Sequence, residues 1–133
     1  MKTARILAVA MLIVASGLAF RVARSQQTSV KRTELQRHDL SIPGREIIQV
    51  SADFPPGAVV PRHTHPGEEL VYVLEGALEF QLEGQTPVAR KAGEVLFIPA
   101  GTVHTAKNVS SGNSTALSTY IVEKGKPLLT LIQ

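Results

Sequence analysis

Short β-type segments, separated by glycine and proline, fill the chain from residue 46 to its end. Residues 77–82 alternate apolar and polar side chains, which predicts a half-buried strand. Residues 69–74 and 95–98 are almost wholly apolar, which predicts strands buried on both faces. No amphipathic helical pattern of useful length interrupts them. We therefore expect an all-β fold of eight or nine strands, a sandwich or a barrel.

The expected strands lie between strong turn signals such as Pro55-Pro56-Gly57, Pro66-Gly67 and Pro99-Ala100-Gly101. In chain order they are residues 46–54, 59–64, 69–74, 77–82, 87–90, 95–98, 103–108, 115–122 and 128–132. The apolar side chains expected to fill the barrel core, or to line a pocket in it, include Leu78, Phe80, Leu82, Val95 and Phe97.

The first 25 residues have the pattern of a secretory signal peptide. Lys2 and Arg5 precede the apolar run Ile6–Phe20, whose 15 residues are too few for a membrane span of about 20. Small residues at Ala23-Arg24-Ser25 suggest cleavage after residue 25, and Gly17-Leu18-Ala19 is a second candidate. An uncleaved anchor and a buried N-terminal helix are the alternatives.

We therefore expect a bacterial protein that is exported to the periplasm or secreted. Residues 1–25 are the expected signal peptide, and residues 26–39 a flexible lead-in with at most a weak helical turn at 31–38. A single domain is expected over residues 40–133, with no stable membrane span after cleavage.

The basic character of the chain belongs mostly to the leader. The full sequence has a formal net charge of +3, but four of its basic residues and none of its acidic ones precede residue 25. Their removal leaves ten basic groups against 11 acidic ones, so nucleic acid is not an expected partner. Because the chain has no cysteine, it has neither disulfides nor thiolate metal ligands.

Three of the four histidines and one nearby carboxylate suggest a metal site. His63 and His65 are two residues apart, so on an extended strand both point to one face. Glu69 keeps this parity and Glu68 does not, which favours Glu69 as the ligand. A bulge at the intervening Pro66-Gly67 turn would exchange the two carboxylates.

His104 lies about forty residues later, on another expected strand. A barrel brings such strands together across its interior, which would complete a site of three nitrogens and one oxygen. This ligand set suits one divalent first-row transition metal, namely Mn, Fe, Co, Ni, Cu or Zn. The fourth histidine, His38, lies outside this stretch and is expected to be exposed.

Two motifs in this stretch resemble those of the cupin superfamily. The first, G(X)5HXH(X)3–4E(X)6G, runs from Gly57 to Gly76, and the second, G(X)5PXG(X)2H(X)3N, runs from Gly93 to Asn108. Every defining position is present, and the spacer of 16 residues is similar to that of small bacterial single-domain cupins. The resemblance covers 52 residues directly.

The resemblance implies a jelly-roll barrel of short antiparallel strands. It also implies that the metal ligands are His63, His65, Glu69 and His104, and that the motif glycines, Pro99 and Asn108 are structural. Small cupins commonly form homodimers, and the two-sided apolar segment Leu70–Leu74 fits that arrangement.

For function, the resemblance implies a small-molecule ligand or substrate but no single reaction. A dioxygenase-like enzyme for a small enol or phenolic substrate is one hypothesis, with Glu69 as a ligand that also acts as catalytic base. Lewis-acid lyase or hydrolase chemistry would use the same site. The alternative is a non-catalytic metal-binding or small-ligand-binding protein of the cell envelope. A metal-free isomerase fits less well, because the ligand set is complete. Tyr72, Gln81 and Arg62 are further acid–base candidates by proximity in sequence.

Overall fold

Ten β-strands build residues 29–133, the part of the chain that this computed structural model describes. The predicted all-β jelly roll is confirmed. The expected signal peptide, residues 1–25, lies outside the described residues. The strands are β1 (Lys31–Asp39), β2 (Arg45–Phe54), β3 (Val59–Thr64), β4 (Gly67–Glu75), β5 (Ala77–Leu82), β6 (Val88–Lys91), β7 (Val95–Ile98), β8 (His104–Asn108), β9 (Ser114–Glu123) and β10 (Thr130–Leu131).

The strands form two five-stranded sheets that enclose one core. The first sheet has the order β1-β2-β9-β4-β7, and the second has the order β10-β3-β8-β5-β6. Every strand pair is antiparallel. Within residues 29–133, no helix is long and apolar enough to cross a membrane.

Strict alternation of side chains places the core between the sheets. β2 and β9 pair along ten residues each, and every second side chain on both strands is buried. Facing them, the predicted core residues Leu78, Phe80 and Leu82 of β5 are buried as well. Each large apolar side chain buried in this way contributes about 1.5–3 kcal/mol of hydrophobic stabilisation.

The expectation of a lead-in up to residue 39 is corrected by β1. Residues 31–39 form neither a loop nor a helical turn but an edge strand paired with β2, with a register shift between Glu34 and Gln36. All nine side chains are exposed, so no apolar alternation marks the strand in the sequence. Backbone pairing holds it, together with an ion pair of 2.7 Å from Arg37 to the buried Glu46 carboxylate.

The outer face of β4 and β7 is apolar but uncovered by any described residue, which corrects the prediction of strands buried on both faces. Leu70, Tyr72 and Leu74 of β4 and Val95 and Phe97 of β7 are 43–62% exposed. Val95 and Phe97 were therefore wrongly predicted as core or pocket residues. An apolar run marks double burial only when layers cover both faces of a sheet, and antiparallel sheets often leave one face open.

Gly67 lies where the chain passes from the second sheet to the first. A Cβ atom at this position would lie 1.9 Å from the carbonyl oxygen of Ile121, which is closer than any real contact. Glycine is therefore required by close backbone approach of β4 to β9. This approach sets the position of Glu69, two residues further along β4.

Buried Asn108 ties together the loop that precedes β9. Its Nδ2 donates to the carbonyl oxygens of Phe54 and Gly112, both at 2.8 Å. Its Oδ1 accepts from the Ser110 amide and the Ser114 hydroxyl, also at 2.8 Å. These bonds satisfy the side chain at the barrel end and agree with the structural role that the resemblance implies.

We predict that Gly67→Ala lowers the free energy of unfolding by about 1–3 kcal/mol, because β4 must shift away from β9 to admit the methyl group. Gly112→Ala is the matched control, since nothing lies within 4 Å of the place that its methyl group would occupy and its φ is not positive. It should change stability by less than about 0.5 kcal/mol. Urea unfolding measures both, and equal midpoints for the two variants would contradict the close approach.

Candidate metal centre

Adjacent strands of the second sheet bring the two distant histidines together. His63 of β3 and His104, the first residue of β8, are direct register partners. His65 follows β3 immediately, and the chain then crosses to the first sheet, where Glu69 lies on β4. The four side chains therefore meet inside the barrel, contributed by both sheets.

The three imidazoles form one compact buried group. The ring centroids of His63 and His104 are 4.1 Å apart, those of His63 and His65 are 4.8 Å apart, and those of His65 and His104 are 5.2 Å apart. One ring nitrogen from each lies within 4.8 Å of the other two. This grouping agrees with the parity argument for His63 and His65.

Backbone carbonyls determine which nitrogen of each ring carries the proton. The Nδ1 atoms of His63, His65 and His104 lie 2.7, 2.5 and 2.8 Å from the carbonyl oxygens of Pro61, Leu128 and Thr102 respectively. A carbonyl oxygen only accepts, so each Nδ1 must be the donor. Nε2 is therefore the ring atom that each histidine can offer to a metal ion.

Burial keeps His63 in this neutral form. Burial, followed by the neighbouring His104, lowers the pKa of His63 to about 4. At neutral pH the ring is therefore uncharged and its Nε2 lone pair is free.

Glu69 rather than Glu68 faces the histidines, as the parity argument predicted. Glu69 is buried, and its Oε2 lies 3.1 Å from His65 Nε2 and 3.3 Å from His104 Nε2. Burial alone would raise the pKa of Glu69, but the imidazoles of His104 and His65 outweigh it and hold that pKa below its usual value. The carboxylate is therefore ionised.

The residues present fit a divalent metal ion. The Nε2 atoms of His65 and His104 face one carboxylate oxygen of Glu69, so a cation, either a proton or a metal ion, must lie between them. His65 Nε2 is buried and, among the described residues, makes no hydrogen bond. Three imidazole nitrogens and one carboxylate oxygen suit the first-row transition metals.

The centre opens into a small cavity of about 20 Å³. This is room for about one water molecule. Apolar side chains make most of its wall, and its polar lining comes from His63, Glu69, His104, Ser118, Tyr120 and Arg32.

Tyr120 is a site residue that sequence reasoning missed. It is the direct register partner of Glu69 across β4 and β9, so both side chains point to the same face. Its ring centroid lies 4.7 Å from that of His65. Burial, followed by the charge of Glu69, raises the pKa of the Tyr120 hydroxyl, whereas the Arg32 guanidinium acts in the opposite direction. The hydroxyl therefore keeps its proton at neutral pH.

The acid–base candidates chosen by proximity in sequence do not line this cavity. Tyr72 lies on the exposed outer face of β4. Arg62 is exposed and pairs with Glu83 at 3.0 Å. Gln81 is half-buried and donates to the carbonyl oxygen of Gln85. The alternation within each strand turns these side chains away from the ligands.

Relatives with known names match the part of the chain that holds this centre. A germin-like protein, subfamily 2 member 2, of Arabidopsis thaliana is 40% identical over 90 residues, which is 59% of this chain and 40% of that protein. The dimethylsulfoniopropionate lyase DddQ of Ruegeria pomeroyi is 38% identical over 54 residues, covering 41% of this chain and 27% of the lyase. The chain thus spans less than half the length of these curated relatives.

Solved structures share the fold. The crystal structure of DddQ superposes with a TM-score of 0.58 and 27% identity, covering 64% of this chain and 42% of the lyase chain. An uncharacterized conserved protein of Klebsiella pneumoniae, with a double-stranded β-helix domain, reaches a TM-score of 0.66 at 20% identity, covering 83% and 90% of the two chains.

The family model described as the cupin domain matches residues 50–127. That range contains all three histidines and Glu69, and it is more than half of the chain. This protein therefore belongs to the cupin family.

Proposed function

We propose that this cupin is a metal-dependent enzyme that holds one divalent first-row transition ion, such as Mn, Fe, Ni, Cu or Zn. His63, His65, Glu69 and His104 are the proposed ligands. The observation that carries the proposal is the convergence, in a buried site, of one carboxylate and the Nε2 atoms of three histidines whose Nδ1 atoms are bonded to backbone carbonyls. Without a cation this arrangement is electrostatically unfavourable.

Dioxygenase-type oxidation of a small enol or phenolic substrate is the reaction we propose. The bound ion would supply oxygen-activating or Lewis-acid chemistry. Glu69 is the proposed catalytic base, because it is the one carboxylate among the described residues that line the cavity. Tyr120 is protonated and lies opposite Glu69 on the adjacent strand β9. Its hydroxyl is therefore suited to donate a hydrogen bond to a substrate oxygen.

The walls around the centre are suited to a reaction from which water is excluded. The cavity wall is mostly apolar, with Val60, Val71, Leu78 and Phe80 among its members. Exclusion of water strengthens each electrostatic interaction inside the cavity. Because the cavity holds about one water molecule, only the reacting end of a substrate can enter it.

Two alternatives have specific support. Lyase chemistry, with Glu69 or Tyr120 handling the proton, is supported by the 38% identity to the lyase DddQ over 54 residues. A non-catalytic role in binding a metal or a small ligand in the cell envelope is supported by the small cavity. The leader sequence of residues 1–25 supports a bacterial, exported protein in either case.

Protein recovered from the periplasm or culture medium of a bacterial host should contain about one first-row metal ion per chain and should begin near residue 26. His65→Ala and His104→Ala should each lose the ion, because each removes one of the converging Nε2 atoms, while the far-ultraviolet circular dichroism stays that of a β-barrel. His38→Ala is the matched control, since this exposed residue lies on β1, away from the cavity lining. Elemental analysis measures all four proteins, and a folded wild type without metal would refute the metal site.

Oxygen consumption separates the proposed oxidation from its alternatives. Metal-loaded protein, mixed with enols, flavonols, diketones and aromatic diols, should consume oxygen in step with loss of one substrate, and Glu69→Gln should reduce that rate by roughly 100-fold or more. The same screen without oxygen detects lyase products. Metal-loaded protein that binds substrates but transforms none, with or without oxygen, would instead establish the binding role.

We also propose that two copies pair through the exposed apolar face of β4 and β7. In the register of these strands, Leu70 lies opposite Phe97 and Tyr72 lies opposite Val95, so their side chains form one continuous patch. β7 is also one of the two edge strands of the first sheet. Monomeric proteins seldom leave a large contiguous apolar patch open to water.

Phe97→Asp should convert a dimer of the wild type into a monomer, because it places a charge in the middle of the buried patch. Val109→Asp is the control, since Val109 is equally apolar and exposed but lies outside β4 and β7. It should leave the dimer intact. Light scattering coupled to size-exclusion chromatography measures the mass, and a wild type that is monomeric at micromolar concentration would contradict the proposed interface.

A further inference from the structure

An outer groove of about 340 Å³ adjoins the small cavity of the metal centre. Arg32 and Val60 line both spaces, so the two are neighbours with a shared wall. The groove is bounded by the start of β1, by β3 and by the C-terminal tail. Its remaining lining is mostly apolar and consists of Ser29, Val30, Val59, Pro61, Leu129 and Leu131.

Arg32 faces the wall that the inner cavity and the outer groove share, because of its register on β1. It lies opposite Ala52 of β2, whose buried side chain lines the inner cavity. Direct partners in an antiparallel pair point to the same face of the sheet, so Arg32 is on the barrel side. Its neighbour Lys31 has the opposite parity and points away.

The charge of Arg32 has no internal partner in the described part of the chain. None of the ion pairs within residues 29–133 involves its guanidinium. No other lysine or arginine lines the inner cavity or the outer groove. The groove is thus an apolar space with one cationic group where it meets the inner cavity.

We propose that Arg32 selects a substrate that carries a carboxylate on a small apolar body. The carboxylate lies against the guanidinium at the mouth of the inner cavity, and the apolar body occupies the outer groove. A guanidinium presents paired N–H donors that match the two oxygens of a carboxylate. This inference deepens the proposed function and rests on it, because it narrows the enol or phenolic substrate to one with a carboxylate near the reacting carbon.

The test is calorimetric titration of zinc-loaded protein with hexanoate and with hexanamide, which is similar in size but uncharged. Zinc is chosen because it has no redox chemistry. Wild type should bind hexanoate more tightly than hexanamide, and more tightly than butyrate by about fourfold for each methylene group.

Arg32→Gln should weaken hexanoate binding by roughly 10- to 100-fold, the usual effect of losing charge-assisted hydrogen bonds, and leave hexanamide binding nearly unchanged. Arg32→Lys should restore part of the loss, because it keeps the charge without the paired donors. Lys31→Gln removes one charge from the opposite face of the same strand and should bind like wild type.

Equal hexanoate affinity in wild type and Arg32→Gln would overturn the proposal, and so would a wild type that binds hexanoate no better than hexanamide. Loss of zinc in Arg32→Gln would show that Arg32 supports the structure of the metal centre, and it would also overturn the proposal. Zinc content is measured separately in every protein. A wild type without zinc refutes the metal site, whereas its hexanoate titration still tests Arg32.

Discussion

Three hydrogen bonds from imidazole Nδ1 atoms to backbone carbonyls determine what the centre of this barrel can do. Each bond fixes the orientation of one ring and occupies its Nδ1 atom, so three Nε2 atoms converge on the same space. Side chains alone would not achieve this, because a free imidazole exchanges its proton between its two nitrogens. The ionised Glu69 then makes the site suitable for a cation.

Those three carbonyls come from different parts of the chain. Pro61 and Thr102 each precede their histidine by two residues, so the local backbone orients His63 and His104. Leu128, in contrast, belongs to the tail after β9 and orients His65 from 63 residues away. The pairing of β10 with β3 and the bond from the Ile132 amide to the Arg62 carbonyl hold that tail in place. The C-terminal tail therefore supports the candidate metal centre, although the group of possible ligands among the described residues includes none of its side chains.

The sequence predicted much of this architecture because a strand repeats every two residues. Glycine and proline marked nearly every turn, and parity chose Glu69 over Glu68. The edge strand β1 was missed because its nine exposed side chains carry no alternation, and backbone pairing leaves no mark on composition. Val95 and Phe97 were misplaced because apolar side chains look alike on a core face and on an uncovered face. Tyr120 was missed because its position beside Glu69 follows from the register of β4 against β9, which a single sequence does not encode locally.

The small inner cavity makes the segments around it important for the proposed function. Under the proposed function, a space of about 20 Å³ leaves no room for the body of a substrate, so selectivity would come from groups outside the motif residues. Those groups lie on the uniformly exposed β1 and on the tail beyond β9, where the sequence has no strict alternation of apolar and polar side chains. Of the residues that line the outer groove, several lie outside the range 50–127 that the cupin-domain model matches, namely Ser29, Val30, Arg32, Leu129 and Leu131. Under the proposals above, chemistry and selectivity are carried by different segments of one barrel, and Arg32 lies where the inner cavity and the outer groove meet.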